Sequence, residues 1–198
     1  MIQQTHALIL ASEHEYVSTM KLLLSFGANV NDEDSHHWAL ILHAASRNHI
    51  DVVRILVGAS AAIDHQGDDQ STPLYKVAER AWTDIVSILL ESGASINLRT
   101  IKGDMTLLQA AENGHASTVA TFIQNGADLN ISDDLRCTAL YQAAQTRNVI
   151  SCLVEGDTYL NITDGNGKTP LLLAVAQADL KTVKALVSAP DTKLHYWF

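Results

Sequence analysis

Two cysteines, three prolines and a 6% share of aromatic residues are all that this chain of 198 residues holds of those types. Each scarcity removes a class of protein. Two cysteines, Cys137 and Cys152, cannot staple a small secreted scaffold. They are expected on different elements and unpaired, as thiols in a reducing compartment, which predicts cytoplasm or nucleus. Basic residues are also short: 13 Lys and Arg stand against 22 Asp and Glu, for a net charge of −9. A phosphate backbone needs a basic stripe, so nucleic-acid binding is not expected. No apolar run is long enough to span a bilayer. The first residues lack a basic region and read straight into helical pattern, so no signal peptide is expected. Phosphate loops, dinucleotide fingerprints and Gly-x-Ser-x-Gly elbows are missing too. No Cys/His set has zinc-ligand spacing, so neither a metal nor a cofactor is expected.

What the chain does have is recurrence. Gly27-Ala28, Ser60-Ala61, Gly93-Ala94 and Gly126-Ala127 stand 33 residues apart. Each is followed by an aliphatic residue and Asn or Asp: Val30-Asn31, Ile63-Asp64, Ile96-Asn97, Leu129-Asn130. A second marker keeps the same period: Ala39-Leu40, Thr72-Pro73-Leu74, Met105-Thr106-Leu107 and Thr138-Ala139-Leu140, then Thr169-Pro170-Leu171 after only 31 residues. A fixed period in this range means stacked supersecondary units, each burying its apolar face against its neighbours. Within a unit, Thr72 is a capping type and Pro73 suits the first helical position. Ile85, Val86, Ile88, Leu89 and Leu90 are expected to form the buried stripe of a second helix, which Gly93 stops.

Thr72-Pro73-Leu74, the run Asp164 to Leu171, the small pairs Ala44-Ala45, Ala110-Ala111 and Ala143-Ala144, and Asn48-His49 and Gly114-His115 together resemble the ankyrin repeat. The resemblance implies an all-α ankyrin-repeat solenoid, read as a single domain over 1–198. Its repeats are expected at 5–31, 32–64, 65–97, 98–130, 131–161 and 162–190, followed by an aromatic tail at 191–198. The two residues missing from the fifth repeat are expected at the turn around Arg147-Asn148. The tail, with Tyr196, Trp197 and Phe198, is expected to fold back over the last repeat or to dock a partner. The first repeat's helix, around Ala7–Ala11, is apolar on nearly all sides, which raises self-association through a terminal repeat.

In this family partners dock on hairpin tips and the inner-helix face. The residues that fall there, and are expected to form a partner groove, are His37, Trp38, His43, Arg47, Asp69, Lys76, Arg80, Asp104 and Gln109. The group around Trp38 joins an aromatic anchor to charge, the mix typical of binding hot spots. Asp32, Glu33, Asp34, Asp68, Asp69, Asp133 and Asp134 make the tips acidic, which would steer a partner's basic segment. His49 and His115 are expected to bond backbone between repeats. The function expected is a non-catalytic protein–protein interaction scaffold, with no catalytic residue assigned. The alternative is a small-molecule binder or unusual enzyme at the His/Trp end, marked by a closed pocket joining His37, His43 and Tyr75.

Overall fold

The computed structural model describes residues 2–189, with side chains from His6 onward. The expected aromatic tail therefore lies outside the described residues. Among those described, the chain is all helix, with twelve α-helices, no strands, and isolated bridges only at Glu33–Ala39 and Ser132–Thr138. They run as inner and outer pairs: α1 (Ile2–Glu13) with α2 (Val17–Ser25), α3 (Leu40–Ser46) with α4 (Ile50–Gly58), and α5 (Pro73–Ala78) with α6 (Thr83–Glu91). Then follow α7 (Thr106–Glu112) with α8 (Ala116–Gln124), α9 (Ala139–Thr146) with α10 (Ile150–Glu155), and α11 (Pro170–Ala176) with α12 (Leu180–Val187). The chain divides into two compact units, Met1–Lys102 and Gly103–Phe198, each holding three pairs.

The inner helices begin as their sequence dictates. The hydroxyls of Thr72, Thr138 and Thr169 accept the N–H of Tyr75, Tyr141 and Leu172 at 3.2, 3.3 and 3.2 Å. Pro73 and Pro170 occupy first-turn positions, where a missing N–H costs nothing. Inside the first unit α3 packs between α1 and α5; in the second, α9 packs between α7 and α11. The alanine pairs permit that approach, and Ala44, Ala45, Ala110, Ala111, Ala143 and Ala144 are completely buried.

The recurring Asn or Asp clasps the next repeat. Asn31 Oδ1 accepts the Ala62 N–H at 2.8 Å, Asp64 accepts the Ser95 N–H at 2.9 Å, and Asn130 accepts the Tyr159 N–H at 2.6 Å. Each bond ties an exposed loop N–H of the later repeat to the repeat before it.

Two ladders of left-handed residues fix the register. One marks the turn between inner and outer helix at Glu15, Asn48, Ala81, Gly114, Arg147 and Ala178. The other marks the hairpin tips at His37, Gln70, Gly103, Arg136 and Gly167. Both keep steps of 33 and then take one of 31. Arg147 is still in register with Gly114, but from Ile150 onward the shorter step holds: Ile150, Leu153 and Glu155 stand 31 after Val119, Phe122 and Gln124. The two residues are therefore lost directly after Asn148, beside the turn to which the sequence points, and Val149 there takes an additional left-handed conformation. Helix α10 has 6 residues where α4, α6 and α8 have 9. The shortening is at its N-terminal end, since its last residue Glu155 keeps the register of Gln124. Gly156, which follows, packs against Leu129, whose methyl would lie 2.5 Å from an added Cβ.

Candidate functional site

The first unit carries an open concavity of about 420 Å³, lined by Asp34, His36, Trp38, His43, Arg47, Asp68 and Asp69. Three elements build it: the hairpin tip before α3, the exposed end of α3 itself, and the next hairpin tip. The tips are tied together by the Asp68 N–H donating to the His36 carbonyl at 3.3 Å.

Asp34 shapes the first tip. Its Oδ1 accepts the N–H groups of His36 at 2.7 Å and Trp38 at 3.0 Å, while Oδ2 lies 3.1 Å from His43 Nε2. Burial pushes its carboxyl upward, but the two backbone bonds and the nearby imidazoles outweigh that and hold it below the usual carboxylate value. The same brace recurs in the second unit. Asp133 accepts from the N–H of Leu135 and Cys137, at 2.9 and 2.8 Å. Asp164 accepts from Asn166 and Lys168, at 2.9 and 2.8 Å. Three carboxylates of this column are therefore loop braces first and surface charges second.

At the register position of that brace the second tip has Gly67, and the Trp38 indole uses the space. A Cβ on Gly67 would stand 2.7 Å from Trp38 Cδ1 and Nε1. Asp69 holds this tip instead, through Ser71 N–H at 3.0 Å and the Lys76 ammonium at 2.8 Å. Burial pushes Asp69 up, yet the bonds from Lys76 and Ser71 hold it down at about 2. Trp38 is half-buried, with the His43 ring centroid 5.4 Å away and the Lys76 ammonium 5.3 Å from its own centroid.

His43 is 4% exposed and forms the floor. Its Nε2 bonds Asp34, and its Nδ1 lies 3.3 Å from Arg47 Nη1. Arg47 in turn donates to Glu13 at 2.9 Å, and Glu13 Oε1 lies 3.2 Å from His43 Nδ1. Burial is the largest influence on the imidazole and pushes it below its ordinary value, against the pull of the two carboxylates.

The expected groove residues divide between the two units. Trp38, His43, Arg47 and Asp69 meet at the concavity. Lys76 reaches it through Asp69 and the Trp38 ring. His37 does not line it; it takes a left-handed backbone at the tip and pairs with Glu33 at 2.7 Å, a bond that raises its basicity. Arg80 turns to the Ser46 carbonyl at 3.3 Å and to the Trp82 ring, 5.3 Å from its centroid. Asp104 and Gln109 belong to the second unit, each half-buried. His49 bonds backbone as expected, with Nε2 2.9 Å from the Glu13 carbonyl. The concavity is open and includes neither His37 nor Tyr75, so it is not the closed pocket that the small-molecule alternative requires.

Sequence reasoning missed Glu13 and Gly67. Both had a signal. Glu13 falls in register with Ser46, Glu79, Glu112 and Gln145 at the inner-helix end, and Gly67 interrupts the column Asp34, Thr100, Asp133.

Other chemistry is limited. Among the described residues no group of three or more His, Cys, Asp or Glu is placed to hold a metal ion. Cys137 and Cys152 are unpaired thiols, and burial pushes Cys137 up to about 11, which keeps it protonated and unreactive. No described helix is long and apolar enough to cross a membrane.

The comparisons with known proteins agree with this architecture. A family model described as ankyrin repeats, in three copies, matches residues 3–66, 41–133 and 107–195. The crystal structure of an ankyrin repeat domain from Acinetobacter baumannii AYE superposes with a TM-score of 0.88 at 25% identity, over 92% of this chain and 96% of that one. A second crystallised ankyrin repeat protein, EF0377, superposes with a TM-score of 0.87 at 23% identity, over 93% of this chain and 98% of that one. A sequence search of curated proteins finds no match.

Proposed function

Because this chain belongs to the ankyrin-repeat family, whose members generally serve as protein–protein interaction modules, we propose that it is a non-catalytic scaffold that binds a partner protein at the Trp38 concavity. The observation that carries this reading is the placement of Trp38. A large aromatic side chain stands half-exposed in a concave, polar-rimmed surface, on a tip whose backbone is braced in advance by Asp34. A rigid aromatic anchor loses little entropy on binding, and such anchors dominate interface energies.

Two features weigh against catalysis as the role of this site. Both ring nitrogens of His43 already have partners within 3.3 Å. The concavity is open to water, which weakens electrostatic stabilisation of a transition state. The unpaired thiols support a reducing compartment, cytoplasm or nucleus, as the place of action.

The test begins with affinity capture and identification of the partner, followed by titration of the purified pair. Trp38→Ala is expected to weaken binding by about 2 kcal/mol, roughly thirtyfold. An identified partner that binds the variant with unchanged affinity refutes the assignment of this surface. Capture of a small molecule without protein transfers the site to ligand binding.

A further inference from the structure

We propose that the concavity receives an arginine side chain of the partner, with the guanidinium stacked on the Trp38 indole and bonded to the Asp68 carboxylate. The inference rests on the recognition reading above and gives it a chemistry.

Most of the charge around the concavity is already committed to a partner within the chain. Three carboxylates and one permanent cation line the concavity: Asp34, Asp68 and Asp69 against Arg47. Arg47 is committed to Glu13 at 2.9 Å, and Asp69 to Lys76 at 2.8 Å. Removing those two pairs leaves Asp34 and Asp68. Asp34 faces inward to two backbone N–H groups and the buried His43 ring. Asp68 faces outward. Its side chain is 58% exposed, and its ion-pair contact is the exposed His36 ring at 3.9 Å, beyond hydrogen-bond distance. The surplus at the mouth is therefore negative, so an anionic ligand is repelled and a cation is drawn in.

Trp38 selects the kind of cation. The Lys76 ammonium, whose charge Asp69 neutralises, lies 5.3 Å from its centroid, a contact in which this indole already attracts a cation. Gly67 keeps the indole seated, since any side chain there would meet it. A guanidinium is planar, sheds water more readily than an ammonium and presents two parallel donors to one carboxylate. It can cover part of the indole and bond Asp68 at once, which an ammonium cannot do with the same geometry. The cavity of about 420 Å³ leaves room for the whole side chain.

The experiment is an NMR titration of the isotopically labelled full chain with acetyl-Gly-Arg-Gly-amide. The same peptide carrying citrulline, which is neutral and nearly isosteric, serves as control, and a third carries lysine. The arginine peptide is expected to move the Trp38 indole N–H and the Asp68 amide with a saturating curve. Citrulline should bind at least about fivefold more weakly, and Asp68→Asn should weaken the arginine peptide by a similar factor, as expected for loss of a charge-assisted bond. The remaining cross-peaks of Asp68→Asn should match wild type, showing that the fold is intact. Equal response to arginine and citrulline, or an arginine response that ignores Asp68→Asn, overturns the inference. Lysine binding as tightly as arginine overturns the stacking geometry. If the identified partner still needs Trp38 while the arginine titration is silent, the arginine inference falls and the recognition reading stands. If partner binding ignores Trp38, the recognition reading itself falls.

Discussion

Replacing Asp34 tests whether the hairpin is braced by a carboxylate. The side chain has three partners: the His36 N–H at 2.7 Å, the Trp38 N–H at 3.0 Å and the His43 ring at 3.1 Å. His36 is exposed, so water can replace its bond, at a cost of about 0.5 kcal/mol. Trp38 and His43 are more enclosed, and bonds to a charged acceptor there contribute about 1 kcal/mol each. Asp34→Ala should therefore destabilise the protein by about 2.5 kcal/mol. Asp34→Asn keeps one acceptor for the two N–H groups, but its amide then points donors at the donor nitrogen of His43. The expected cost is about 1–1.5 kcal/mol. The sign of the pH dependence follows from the lowered carboxyl. The stabilisation is present above the unfolded value of 3.8 and is lost as pH falls through the lower folded value. The gap between wild type and Asp34→Ala should thus shrink between pH 7 and pH 3. Urea denaturation followed by circular dichroism and tryptophan fluorescence reads it. An Asp34→Ala cost under about 0.5 kcal/mol at pH 7, or a gap that stays constant on acidification, refutes the brace.

Further expectations concern single groups. The lowered His43 imidazole makes the unfolded chain bind more protons, so wild-type stability should fall as pH drops below about 6.5, and His43→Gln should flatten that slope in denaturant titrations. His37, raised by Glu33, works in the opposite direction and is common to both proteins, so the difference isolates His43. Tyr141 donates to Asp164 at 2.8 Å from a buried position, and Tyr141→Phe should cost about 1.5–2 kcal/mol by calorimetry. Val149, β-branched at φ 46°, is strained, and Val149→Gly should raise stability by about 1 kcal/mol in the same assay.

The repeat architecture was legible because it is written as recurrence. Gly27, Ser60, Gly93 and Gly126 mark one ladder, and the Thr-Pro slots mark another; both survive exchange of the residues between them. Trp38, His43 and Arg47 were legible as a group because their spacing puts them on one hairpin and one helix face. Partnership across repeats was not legible. The period says that Glu13 ends a helix, but not that its carboxylate reaches Arg47 and the His43 ring. It counts Asp34 and Asp133 as acidic tips, although each spends an oxygen on two backbone donors. The lost pair of residues was legible at the turn because Arg147-Asn148 departs from the usual Gly-His. Arg147 keeps the left-handed turn and bonds Gln177 at 3.1 Å, while Val149 adds a second left-handed residue where the other outer helices have none.

Helix α10 gives the second unit an internal weak point. At 6 residues it lacks most of a turn that the other outer helices keep, and it packs against both α8 and α12. In a stack where each layer leans only on its neighbours, one short layer weakens two contacts at once. Thermal opening should therefore begin between Arg147 and Leu160. Backbone amides there should exchange with solvent well before those of α7 or α9, and a protease should find its first cut in the same stretch. Melting of this unit would then start inside the stack, where end-fraying does not reach.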